Sequence, residues 1–145
     1  MSTKKAARPP NLLALLHELR DDLEKRMHLA LDEAGFEDVR PAHGPVFGAI
    51  GADGSRVTDM ARRAGMTKQS MSELVEYLEE RGYVERAPDP EDRRAQKVRL
   101  TKLGWRTVDV AIEAVDAVER EWASVIGERG MRAFRSRLEK LVQLS

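Results

Sequence analysis

From Asn11 onward the apolar residues fall into helical registers. Leu12, Leu15, Leu16, Leu19, Leu23, Met27, Ala30, Leu31 and Ala34 recur at intervals of three and four, the spacing that places side chains on one face of an α-helix. Asn11 is a good N-cap and Gly35 a good C-terminal stop, so the pattern predicts one long helix over 11–35. Its apolar stripe is wide for a single helix and implies packing against more than one neighbour. Pro41–Ile50 is short, apolar and uncharged, and precedes the turn sequence Gly51-Ala52-Asp53-Gly54; it reads as a short buried helix. Val57–Ala64 reads as two helical turns with Thr58 as cap and Gly65 as break. Thr67 caps a further helix with Met71, Leu74, Val75 and Leu78 on one stripe. Gly82 ends it, where a residue without Cβ adopts positive φ at least cost.

Beyond Gly82 the period shortens. Tyr83–Ala87 reads as a strand, Pro88–Arg94 as a polar exposed turn, and Gln96–Leu100 as a returning strand of alternating character. Thr101 then caps a long helix whose stripe is Val108, Ala111, Ile112, Val115, Val118, Trp122 and Val125. Gly127 and Gly130 are read as interrupting it, before a last helix carrying Met131, Phe134, Leu138, Leu141 and Val142. The order is four helices, two strands and two helices, with no internal repeat: a mostly α domain with a small β-hairpin (α+β).

The chain has 145 residues, which is the length of one domain. Its 25 Lys+Arg balance its 25 Asp+Glu, so any basic footprint must be local. The 34% of charged residues exceeds the ordinary ~25%, and aromatics are only 5%, a mix that suits amphipathic helices better than a sandwich. With no cysteine, disulfides, thiol chemistry and Cys-based zinc sites are excluded. The longest uncharged run, Pro41–Ala52, falls far short of a membrane span, and residues 1–10, with Lys4, Lys5 and Arg8, read as a disordered basic arm without the apolar core of a secretory signal. These features point to a soluble, cytoplasmic chain.

A short helix, a glycine-bearing turn and a second capped helix form a helix-turn-helix, and a following hairpin makes it winged. Here the sequence resembles the MarR family of bacterial transcriptional regulators. The residues that carry the resemblance run from Val57 to Gly104, VTDMARRAGMTKQSMSELVEYLEERGYVERAPDPEDRRAQKVRLTKLG. The family's wing pattern stands here as Asp89-Pro90-Glu91-Asp92-Arg93-Arg94 followed by Leu100-Thr101, and the helix layout extends the likeness over almost the whole chain from Asn11. The resemblance implies a winged-helix DNA-binding lobe over 41–101 in a single domain over 11–145, flanked by dimerisation helices at 11–35 and 102–145.

On a helical wheel Gln69 lies opposite Met71, Leu74, Val75 and Leu78, with Thr67, Lys68 and Ser70 around the N-terminus. There, free N–H groups and the helix dipole favour a phosphate. Glutamine can pair bidentately with adenine, while Thr, Lys and Ser suit phosphates or base edges; Ser72 completes the candidate set on this helix. Arg93 and Arg94, at the hairpin tip, can enter a narrow minor groove, and Asp92 is placed to hold one guanidinium. Arg56, Arg62 and Arg63 read as phosphate contacts or solvated residues. From Ser55 to Ser72 there are four bases against one acid, and from Arg81 to Lys102 seven against four, but Glu73–Glu80 holds four acids and no base. Glu73 departs from the family, which often carries a basic residue there; it reads as facing solvent and discouraging wrong sequences, with a cytosine amino group as the alternative partner.

Taken singly, a solvated helix start explains Lys68, Gln69 and Ser70, and surface charge explains Arg93 and Arg94; their order and spacing together favour DNA. The resemblance further implies a homodimer on double-stranded, pseudo-palindromic operator DNA, with recognition helices about one turn, 34–36 Å, apart. It also implies release from DNA when a small aromatic or phenolic effector enters between the dimer helices and the DNA lobe. His17, Arg20, His43 and Trp105 are the polar or aromatic residues near that region, each equally explained by packing or surface, and His43 alternatively as a cap for the short second helix.

Catalytic signals are poor. His17 and His28 lie eleven residues apart on one helix, roughly 16 Å at its rise, too far to share a metal. Asp21 stands where a zinc protease would place its second histidine after His17-Glu18. The glycines at 48, 51 and 54 do not form a phosphate loop, and nothing calls for a cofactor. The expected protein is therefore a homodimeric, sequence-specific DNA-binding regulator, a repressor relieved by a small ligand. The alternative, kept open by the neutral charge and the acidic flank, is a helical dimerisation or adaptor module whose winged helix binds protein.

Overall fold

A computed structural model of the chain describes residues 9–145, so the basic arm read over 1–10 lies outside the described residues except for Pro9 and Pro10. The order is α1 (Leu12–Glu33), a single 3-10 turn (Pro41–His43), α2 (Gly44–Ala49), α3 (Val57–Ala64), α4 (Lys68–Glu80), β1 (Val84–Pro88), β2 (Gln96–Leu100), α5 (Lys102–Ile126) and α6 (Glu128–Val142).

The caps explain most boundaries. Asn11 Oδ1 accepts from the Ala14 N–H at 2.9 Å and starts α1. Thr67 and Thr101 begin α4 and α5 in the same way, through the N–H groups of Ser70 and Gly104. Thr58 is not a cap: α3 begins one residue earlier, after Arg56, without a side-chain cap. Gly65 ends α3 in the left-handed region (φ 63°). Gly127 separates α5 from α6, whereas Gly130 lies inside α6 and does not interrupt it; its backbone keeps helical φ and its neighbours leave it unstrained.

β1 starts at Val84, one residue later than the sequence reading: the Tyr83 N–H donates to the Leu78 carbonyl at the end of α4 at 2.9 Å, while its carbonyl accepts from the Thr101 N–H at 3.1 Å. The strands pair antiparallel from Val84↔Leu100 to Pro88↔Gln96. Ser55 adds an isolated bridge on the free edge of β2, exchanging two bonds of 2.8 Å with Val98. The turn before Ser55 approaches so closely that a Cβ on Gly54 (φ 85°) would sit 3.0 Å from the Val98 carbonyl oxygen.

The core is concentrated in the winged half. Val46, Met60, Met71, Val75, Leu78 and Val98 are fully buried, and Leu31, Phe36 and Val39 from the end of α1 and the loop after it join them. Elsewhere α1 packs on α5 and α5 on α6, yet α5 buries only Gly104, Thr107, Val118 and Ala123, and α6 buries no residue. Leu12, Leu13, Leu16, Val125, Ile126, Leu141 and Val142 stand exposed, Val125 at 80% and Leu13 at 77%. The wide stripe of α1 is thus split between an end that enters the core and a beginning that no other described residue buries.

Candidate nucleic-acid interface

α4 is locked from behind and open at its first turn. Met71, Val75 and Leu78 pin one face into the core. Thr67 Oγ1 accepts from the Ser70 N–H at 3.1 Å and donates to Ser70 Oγ at 2.9 Å, so its hydroxyl serves the cap. Lys68, Gln69 and Ser70 are exposed around the positive end of the helix dipole. Ser72 is half-buried and recedes from this face. Gln69 is braced rather than free: its Nε2 donates to Glu73 Oε1 at 3.4 Å. Glu73 is exposed.

The wing is anchored by a residue the sequence reading passed over. The Asp89 side chain is only 1% exposed; Oδ1 accepts from the Glu91 N–H at 3.0 Å, and Oδ2 accepts from Arg56 Nε at 2.8 Å and Nη2 at 2.7 Å. The backbone N–H of Glu91 first, and then the Arg56 guanidinium, hold this carboxyl below the usual carboxylate range, and Asp89 in turn raises Arg56. Arg56 is therefore a strut between the start of α3 and the base of the hairpin. The signal was present in the Asp-Pro that opens the wing, since a short acid at a turn commonly accepts a backbone N–H two residues on.

Asp92 also differs from its expected role. Its Oδ1 accepts from the backbone N–H of Arg94 at 3.0 Å, not from a guanidinium, because the tight turn brings the main chain closer than the long side chains. Bonds from Asp92 N–H to the Asp89 carbonyl (3.2 Å) and from Ala95 N–H to the Asp92 carbonyl (3.0 Å) close the turn. It presents Arg93 and Arg94 exposed, without ion pairs among the described residues. The strands below are balanced by Arg99–Glu85 (2.7 Å) and Arg86–Glu79 (3.1 Å).

Of the two arginines of α3, Arg62 pairs with Asp59 at the surface. Arg63 Nη1 donates to the Ala49 carbonyl at 2.9 Å and to Ser55 Oγ at 3.1 Å, tying α3 to the turn after α2. The candidate effector residues are not gathered into one site. His17 and Arg20 are exposed on α1, next to Asp21 (3.3 Å) and Glu24 (3.2 Å), and Trp105 is 44% exposed at the start of α5. His43 is buried against α4. Its ring stacks on Tyr77 at 4.3 Å, and its Nδ1 accepts from the Arg40 N–H at 2.8 Å, so it caps the 3-10 turn rather than α2. Burial first, then Arg81, depresses its pKa, with Asp38 opposing. Tyr83 donates to Asp38 Oδ1 at 2.5 Å, and Arg81 lies over the Tyr77 ring at 3.5 Å; together they fasten the end of α4 to the loop before α2. No helix of the described residues is long and apolar enough to cross a membrane.

Comparison with known proteins gives the same architecture. A family model described as MarR family matches residues 37–95. The transcriptional regulator HosA of Escherichia coli O111:H- is 28% identical over 128 residues, 87% of this chain and 93% of that protein. The transcriptional activatory protein BadR of Rhodopseudomonas palustris is 28% identical over 133 residues, 89% of this chain and 73% of BadR. The crystal structure of CouR from Rhodococcus jostii RHA1, bound to p-coumaroyl-CoA, superposes with a TM-score of 0.68 at 27% identity, covering 90% of this chain and 91% of CouR.

Proposed function

The chain belongs to the MarR family of DNA-binding transcriptional regulators, and from that premise we propose that it acts as a homodimeric repressor released from its operator by a small aromatic ligand. The observation that carries the dimer is the contrast between its halves. The winged-helix lobe closes a core that takes in Leu31 from the end of α1, while elsewhere α1, α5 and α6 leave Leu12, Leu13, Leu16, Val125, Ile126, Leu141 and Val142 to water. Apolar faces on three adjoining helices favour association through burial, at about 25 cal/mol per Å². A two-fold axis through them gives two recognition helices and a pseudo-palindromic operator.

On each lobe the first turn of α4 reads the major groove, with Gln69 at a base edge and Lys68 and Ser70 at base edges or phosphates. Thr67 positions that turn. Arg93 and Arg94 reach the minor groove from a turn shaped by Asp92 and anchored by Asp89 on Arg56. Arg62 and Arg63 stand near the phosphates in this reading, Arg63 with one nitrogen already committed. The domain divides as dimerisation helices over 11–35 and 102–145 and a DNA lobe over 41–101. CouR with its aromatic acyl ligand supports an effector of that class, met here by Trp105 and the exposed start of α1 with His17 and Arg20; His43 acts in the DNA lobe instead. The role is regulatory rather than enzymatic, exercised in the cytoplasm.

Fluorescence anisotropy on the DNA upstream of its own gene tests this reading, at two salt concentrations with unrelated duplex as competitor. Specific binding that weakens steeply with salt, through counterion release, is expected. Absence of binding at low salt overturns it and returns the adaptor alternative. Higher promoter output after deletion of the gene is expected of a repressor; lower output would assign it the opposite sign, the one BadR's name carries.

A further inference from the structure

The outward face of α4 carries an order of charges that the recognition of DNA does not by itself explain. At about 100° per residue, Gln69, Glu73, Glu76 and Glu80 fall within roughly 60° of one another, opposite Met71, Val75 and Leu78. All four are exposed. The face that α4 offers to a duplex is therefore one carboxamide followed by three carboxylates. Glu76 and Glu80 lie about 10 and 16 Å along the axis from Gln69, beyond a Debye length at physiological salt, whereas Glu73 is only about 6 Å away. Glu73 is the acid that must enter the groove with Gln69, and it has no ion-pair partner among the described residues.

Resting on the reading of α4 as the recognition helix, we infer that Glu73 is a specificity-determining residue, bracing the Gln69 carboxamide for a base edge while its charge lowers affinity for all DNA sequences alike. The brace is the bond from Gln69 Nε2 to Glu73 Oε1 at 3.4 Å. A carboxamide has two N–H donors and one oxygen acceptor. With one N–H given to Glu73, the other N–H and Oε1 remain as the pair that matches N7 and N6 of adenine. The bracing fixes which side of the amide is oxygen before DNA arrives, so less ordering is needed on binding. The charge works differently. It stands within reach of phosphates spaced about 1.7 Å along the duplex axis and repels them whatever the sequence, so only duplexes that reward the first turn of α4 are held.

The two actions separate in two variants. Glu73→Gln keeps an oxygen that accepts from Gln69 but removes the charge; Glu73→Ala removes both. A duplex selected from randomised DNA by the wild-type protein supplies the operator, and affinities are measured for it, for its single-base changes and for a scrambled duplex. Both variants are expected to bind the scrambled duplex about three- to tenfold more tightly. Base discrimination at the position read by Gln69 is expected to fall about threefold or more in Glu73→Ala and to persist in Glu73→Gln. Wild-type discrimination by Glu73→Ala overturns the inference, whatever the affinity does, as does unchanged affinity of both variants for scrambled DNA. Gln69→Ala keeps the two levels apart. Discrimination lost there but kept in Glu73→Ala refutes the inference about Glu73 and leaves the reading of α4 standing. Discrimination kept in Gln69→Ala refutes the reading of α4 on which the inference rests.

Discussion

At Gly104 the start of α5 approaches the base of the wing more closely than a Cβ allows, and replacing it by alanine should separate the two. A Cβ at this position would lie 2.1 Å from the Tyr83 carbonyl oxygen and 3.0 Å from Leu100 Cδ2. Ordinary contact begins near 3.4 Å, so α5 and the start of β1 must part by 1.3 Å. The same carbonyl accepts from Thr101 N–H at 3.1 Å and from Thr101 Oγ1 at 3.2 Å, and neither bond survives such a displacement. Overpacking costs about 1–3 kcal/mol, and each lost hydrogen bond about 0.5–1.5 kcal/mol. The better helix propensity of alanine returns about 1 kcal/mol. The net loss is about 1–5 kcal/mol, which for a chain of this length lowers Tm by roughly 3–20 °C. Gly130→Ala is the control. It lies inside α6, and its added Cβ would meet Ile126 side-chain carbons at an ordinary 3.5 Å, so only the propensity gain remains and Tm should rise by about 1–4 °C. Thermal unfolding followed by circular dichroism, at one fixed protein concentration because a dimer's Tm depends on it, reads both. A Gly104→Ala protein that melts at or above the wild type would refute the reasoning from close approach.

Arg94→Ala should weaken operator binding about tenfold or more with Tm unchanged, since the side chain is exposed; anisotropy at fixed salt checks it, and equal affinity removes the wing from the contact. Asp89→Asn should loosen the hairpin, because Arg56 loses its ionic partner; faster hydrogen exchange in 88–96 is the expected sign, and wild-type protection there would discount the strut. His43 titrates below its ordinary value because burial disfavours the cation, so the unfolded chain takes up the proton first as pH falls. Its contribution to stability is whole above about pH 6.5, the unfolded value, and is lost below it until the folded pKa is passed. Melting curves from pH 7.5 to 5.5 should therefore fall further for the wild type than for His43→Asn, and parallel curves would exclude this histidine. Val125→Asp together with Leu141→Asp should shift sedimentation to the monomer mass, whereas an unchanged dimer would place the interface elsewhere.

Helix starts and stops were legible because their causes are local. Asn11, Thr67 and Thr101 cap through a side chain reaching three residues on, and Gly35, Gly65 and Gly82 each have positive φ. Thr58 misled because a capping residue one position inside a helix looks the same in sequence as one at its edge. Gly130 misled because a glycine in a helix interior and one at its end differ only in what surrounds them. In the candidate site, the outward position of Gln69 followed from periodicity alone. The partners of Asp89 and Arg56 are 33 residues apart, and no periodic pattern links them. Asp92 was recognised as a wing residue, but whether its carboxylate met a guanidinium or a main-chain N–H depended on how tightly the turn closed.

The sequence by itself determined the element order, the face that α4 turns outward and the exposed arginines of the wing, because helix period, caps and turn residues act within a few positions of the chain. Only the tertiary structure decided which charges are spent inside the protein. Arg56, Arg63 and His43 look like surface groups in sequence, yet packing brings a carboxylate, a carbonyl and a main-chain N–H to them. It also decided how the apolar surface is shared. The same leucine and valine periodicity runs through α1, α4 and α5, but the winged lobe closes over the inward face of α4 together with the end of α1 and the start of α5, whereas along the rest of their length α1 and α5 lie against each other with α6 packed on α5. Two or three helices cannot enclose their own stripes, and the surplus is left as the surface on which a second copy can pack.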